Sequence, residues 1–139
     1  MSARSKLGRM VRLSVTVASL GTASVAGIDP TAAQTAQFDG VYAGTQTLTD
    51  KSSGHNYSKC LKGPFKRKLV VKDGAVTYVY NPTYEGTVTG TVSADGDVSG
   101  TVSRGGGVSL SGRIQGNEFT GEVRSIICTY ALQMKRVSQ

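Results

Sequence analysis

Few side chains in this chain are equipped for chemistry. His55, in Ser52-Ser53-Gly54-His55-Asn56-Tyr57, is the single histidine. One imidazole excludes paired-His metal sites and two-His mechanisms. As a base toward a serine, or as half of a Cys–His dyad, it needs an orienting partner. The sequence supplies none, so His55 reads as a solvated loop residue. Asp95 and Asp97 flank Gly96. Paired carboxylates can hold Ca²⁺ or move protons, but this spacing is that of a hairpin turn. The twelve-residue calcium loop with its late bidentate Glu is absent. Glu85, Glu118 and Glu122 fall at strand ends or on a polar face, so no carboxylate pair is set for glycoside chemistry. No nucleophile elbow, phosphate-cradling loop or dinucleotide fingerprint is present. The only His and Cys residues are His55, Cys60 and Cys128, one short of a zinc finger. The expectation is a non-enzymatic protein without cofactor or metal.

The remaining candidates are cationic and aromatic. Lys59, Lys62, Lys66, Arg67, Lys68 and Lys72 crowd one short segment. In strand phase, Phe65, Arg67, Leu69 and Val71 share one face, and Lys66, Lys68, Val70 and Lys72 share the other. The lysines therefore point to solvent, while Arg67 points with the apolar set. An inward Arg is costly unless it pairs with a carboxylate, sits near an opening or holds an anionic ligand head. Gln46, between Gly44 and Leu48, is the other inward polar residue. Arg67, Gln46, Tyr78 and Tyr80 form the candidate ligand site. Lys62, Lys66, Lys68 and Lys72 form the candidate partner-binding face, suited to an acidic protein or a polyanion.

The elements that must position these residues are strands. From 125 to 135 the even positions are Ile126, Cys128, Tyr130, Leu132 and Met134, an apolar set at period two. A motif of apolar residue, Ser/Thr, Gly, any residue, apolar residue starts at Val88, Val98, Leu110 and Phe119, with a looser copy at Tyr84. Between the copies stand turn pairs: Asp95-Gly96, Gly105-Gly106-Gly107 and Gly116-Asn117, with Asp73-Gly74 upstream. Asp-Gly and Gly-Asn supply the positive φ that tight hairpins need. The predicted strands are 38–49, 65–72, 75–81, 86–94, 97–103, 108–115, 118–124 and 125–137. No helix is expected in this part, and 50–63 is the one long polar loop. Short strands at this spacing predict an all-β, antiparallel up-and-down meander, closing into a barrel or flattened barrel of about eight strands. The strand glycines lie on the inward face. They allow either curvature packed by Phe38, Tyr42, Phe65, Tyr78, Tyr80, Phe119 and Tyr130, or a real cavity.

The opening residues read as a leader. Arg4, Lys6, Arg9 and Arg12 precede an uncharged stretch from 13 to 27, and small residues follow. That is the three-part pattern of a secretory signal peptide. It covers 1–33, with cleavage after Ala33 and Ala26 or Ala36 as alternatives, and leaves a single domain, 34–139. The expected localisation is periplasmic or secreted, as for a bacterial export substrate. Of the net charge of +7, the 34–139 part keeps 12 basic and 8 acidic residues. The two cysteines then predict one disulfide, Cys60–Cys128. The modest charge and the lack of a nucleic-acid motif argue against specific nucleic-acid binding. Polar outward positions argue against a transmembrane barrel. The functional expectation is an exported binding protein with a small apolar or anionic ligand in the barrel mouth. The alternative is an interaction or hydrolase-inhibitor module that uses the basic 59–72 segment and the 50–63 loop.

Overall fold

The computed structural model describes residues 30–51, 60–81, 86–102 and 107–139. The leader up to residue 29, His55, Lys59, Glu85 and Gly105-Gly106 lie outside the described residues. After a short helix, α1 (Pro30–Ala36), come eight strands: β1 (Gly40–Lys51), β2 (Phe65–Lys72), β3 (Ala75–Asn81), β4 (Gly86–Val92), β5 (Asp97–Val102), β6 (Ser109–Gln115), β7 (Glu118–Arg124) and β8 (Cys128–Ser138). Each pairs antiparallel with its chain neighbours, and β8 returns to β1, so the meander is a closed barrel.

Alternation decides what lies inside. Tyr42, Leu69, Val71, Val76, Tyr78, Val88, Val98, Leu110, Ile114, Phe119, Val123, Tyr130 and Leu132 are buried, and the residues between them along each strand face outward. The outer face is mainly Thr, Ser, Lys and Gln, with Val70, Val79 and Val137 as exposed apolar exceptions. Inward glycines face one another across neighbouring strands: Gly90 opposite Gly100 and Gly112 opposite Gly121. The Phe119 ring packs directly over the Gly112–Gly121 pair. At this pair the missing side chains make room for a ring that fills the space.

The two ends of the barrel differ. One end is sealed. Its hairpins are tight, with Asp73 at φ 51° and Gly74 at φ 78°, the two positive values of a type I′ turn. Phe38 closes this end against Gly96, and Asp39 Oδ2 accepts from the Asp73 N–H at 3.1 Å. The Tyr42 hydroxyl donates to the Phe38 carbonyl at 2.8 Å and accepts from Arg136 Nη2 at 2.7 Å. Arg136 also donates to the Gln37 carbonyl, which ties β8 to the segment that enters β1.

Several boundaries depart from the sequence expectation. β1 runs over Gly40–Lys51, not 38–49, so it starts after Phe38 and Asp39 and takes in the first two residues assigned to the 50–63 loop. A helix occupies 30–36, where none was expected in the part beyond the leader; it straddles Ala33, and its Thr35 packs on Gly74. β4 stops at Val92, because Ser93 turns back: its carbonyl accepts from Gly96 N–H and its hydroxyl from Asp97 N–H. Ile126 is not an inward strand residue but 71% exposed. Ser125 N–H donates to the Cys128 carbonyl and Ser125 Oγ accepts from Cys128 N–H, making a tight turn, so β8 begins only at Cys128.

Candidate functional site

The other end is the mouth. The half-buried apolar side chains that pack on the core are Leu48, Phe65, Tyr80, Val102, Val108 and Ile127, and all six lie at this end of their strands or beside it. Beneath them sits a polar cluster. Gln46 is only 2% exposed. Its side-chain carbonyl accepts from the Tyr78 hydroxyl and from Arg67 Nε at 3.2 Å. Both neighbours donate, which fixes the amide orientation. The Gln46 amide nitrogen makes no hydrogen bond to a described residue. Arg67 also donates from Nη1 to the Lys66 carbonyl at 3.1 Å, and its guanidinium lies over the Phe65 ring at 5.1 Å.

The β1–β2 register explains how these residues meet. Gly44 stands opposite Arg67 and Gln46 opposite Phe65. The small Gly44 leaves Arg67 free to lean toward Gln46, one inward position along. Three of the four predicted ligand-site residues are thus joined in one hydrogen-bonded cluster. The fourth, Tyr80, packs edge-on against Tyr130 with ring centroids 6.2 Å apart.

The ion pairs among described residues are Arg113–Asp97, Arg124–Glu122 and Lys135–Glu118, all exposed. None includes Arg67, so the structure brings it no carboxylate partner among the described residues. Asp97 closes its turn through its backbone, bonded to Ser93, while its carboxylate pairs with Arg113 of β6.

The predicted lysine face divides. Lys66 and Lys68 flank Arg67 on the outside of β2. Lys72 lies at the sealed end, beside the β2–β3 turn, and Lys62 precedes the strand. The disulfide joins Cys60 to Cys128, with Cα atoms 5.9 Å apart. It holds the segment before β2 against the mouth, where the Leu61 backbone N–H donates to the Tyr130 hydroxyl. Tyr130 is a wall residue that the sequence reading did not place in the site. The available signal was the β8 phase, which sets Tyr130 two positions after Cys128.

Electrostatically the mouth is rich in donors. Burial pushes the Tyr78 hydroxyl far above the usual phenol range, and the Arg67 charge only partly opposes this. Burial, with neighbouring Tyr80, also raises Tyr130. Both rings therefore stay protonated where an exposed tyrosine ionises, at about pH 10. The sign follows. A raised folded value means that this contribution to stability is complete below about pH 10 and is lost as pH rises above it. In an alkaline titration followed by phenolate absorbance, Tyr78 should ionise only together with unfolding, and Tyr130 later than an exposed tyrosine. Reversible ionisation of all six tyrosines in folded protein would contradict the burial of this cluster.

No protein-family model, curated protein or solved structure matches the chain. What fold and site define is therefore a class by geometry: a small up-and-down barrel, sealed at one end, with an aromatic, cationic mouth at the other.

Proposed function

We propose that this chain is an exported, non-enzymatic binding protein of the cell envelope or exterior that holds a small ligand in the barrel mouth. The observation that carries the reading is Arg67. Among the described residues it is the single charged side chain on the inward face of β2, it is half-buried, and it has no described carboxylate partner. An unneutralised guanidinium beside buried polar groups is costly for folding alone. A ligand site gives that cost a use. The tyrosines and Phe65 offer apolar walls, and a few convergent polar groups in such a setting are what small-molecule sites commonly have. Export rests on the leader pattern over 1–33, and the disulfide accords with an oxidising compartment.

The second reading is an interaction module that docks the 50–63 loop and Lys62, Lys66 and Lys68 into an acidic partner. It is favoured by the exposure of these lysines and by the absence of ion pairs to them among the described residues. One experiment separates the two. The protein is purified untagged from the culture fluid or periplasm of its own producer and analysed by native mass spectrometry. A chain lacking the leader, with a small-molecule adduct that leaves on denaturation, is the expected result. A stoichiometric protein partner supports the second reading. Intact leader sequence on all recovered protein would overturn export.

A further inference from the structure

Among the described residues, the barrel wall is incomplete beside Arg67. β2 runs from Phe65, yet its ladder to β3 covers only Leu69 to Lys72, opposite Tyr78 to Ala75. Among the described residues, Phe65 to Lys68 pair with β1 alone, and Val79 and Asn81 with β4 alone. The two strands therefore part at the mouth and leave a notch. The Lys66 carbonyl lies in this unladdered stretch, and it accepts from Arg67 Nη1 at 3.1 Å. Arg67 thus spans the wall: Nε bonds to buried Gln46 inside, while Nη1 reaches the backbone at the notch. Outside, a groove of about 610 Å³ runs past the same place, lined by Ala43, Thr45, Lys66, Arg67, Lys68 and Val79. Its size is within the ordinary range for small-molecule sites. Its described charged lining is cationic throughout.

We propose that the ligand of the mouth is an amphiphilic anion, its acidic group seated in the β2–β3 notch on Arg67 between Lys66 and Lys68, its apolar body against Phe65, Tyr80 and Tyr130. This deepens the binding-protein reading and rests on it. Three features converge. Arg67 and the Gln46 amide are donors without a described acceptor for their remaining N–H groups. The two lysines add positive charge on the solvent side of the same opening. The barrel interior below is closed: Tyr78, Leu69 and Val88 have no exposed surface, so an elongated ligand must leave through the mouth or sideways. A planar guanidinium fork with flanking ammoniums suits a carboxylate or a phosphate monoester.

The test uses the purified disulfide-bonded protein. Anilinonaphthalene sulfonate serves as an anionic fluorescent probe and N-phenylnaphthylamine as its neutral counterpart. Dodecanoate, dodecyl phosphate and dodecanol compete for the site. The anions should bind at one site per chain and about tenfold more tightly than their neutral counterparts, the scale of one partly screened charge contact. The ratio of dodecanoate to dodecyl phosphate separates a carboxylate site from a phosphate site. Arg67→Gln should remove the anion preference. Lys68→Glu, at an exposed outward position, should weaken the anions and leave N-phenylnaphthylamine unchanged. Equal binding of neutral and anionic probes, or anion binding indifferent to Lys68→Glu, would overturn the notch while leaving a mouth site standing. If no probe and no competitor binds the folded protein, the binding-protein reading itself fails with it.

Discussion

Replacing both cysteines, Cys60→Ser with Cys128→Ser, should lower the melting temperature by about 15–20 °C while leaving a folded barrel. The bond closes a sequence separation of 68 residues. In the chain-entropy account a loop of that length restrains the unfolded state by about 4 kcal/mol. For a domain near 100 residues each kcal/mol moves the midpoint by roughly 4–5 °C. The eight-strand ladder does not depend on the bond, since β8 is held by β1 and β7 along its length. Far-ultraviolet circular dichroism at low temperature should therefore stay unchanged. The chain contains two cysteines, so the double variant has no thiol left to mispair. A second effect should be local. Without the bond the segment carrying Leu61 and Lys62 is released from Tyr130, and mouth binding should weaken even well below the melting point. A midpoint shift under about 5 °C would mean that the unfolded chain gains little from opening this loop.

Much of this architecture is legible in the residues, for a physical reason. Strict alternation with Gly-containing turns allows few solutions, and β2, β3 and β7 have the bounds that alternation alone assigns. Arg67 and Gln46 are readable as inward polar residues because phase within one strand is local information. Their hydrogen bond is not, because it needs the β1–β2 register, and a long loop separates those strands. The notch is less visible still. Nothing in Phe65–Lys72 or Ala75–Asn81 taken singly says that pairing ends at Leu69 and Tyr78; that is a property of the two strands together. Ile126 misleads for the opposite reason. It continues the apolar phase of β8, but Ser125 hydrogen-bonds to Cys128 and lifts it out of the strand. The helix over Pro30–Ala36 escapes because its composition matches the small-residue end of a leader.

The strand glycines make the sharpest stability contrast. A methyl group added at Gly90 would lie 1.9 Å from the Ser99 carbonyl oxygen and 2.5 Å from the Gly100 Cα. Both obstacles are backbone of the neighbouring strand, which cannot rotate aside like a side chain. Gly90→Ala should therefore cost about 3 kcal/mol or more, the upper range for overpacking, by forcing β4 away from β5. Gly116 is the opposite case. It sits at φ +58° with nothing within 4 Å of an added Cβ, so Gly116→Ala meets only the left-handed backbone penalty, about 1 kcal/mol. Urea unfolding of the two variants beside the parent protein measures the difference directly. If curvature at the inward glycines holds the barrel closed, Gly90→Ala must shift the midpoint well beyond Gly116→Ala, at unchanged slope. Equal shifts would show that β4 and β5 can separate freely. The Gly90–Gly100 contact would then be a consequence of barrel closure, not one of its causes.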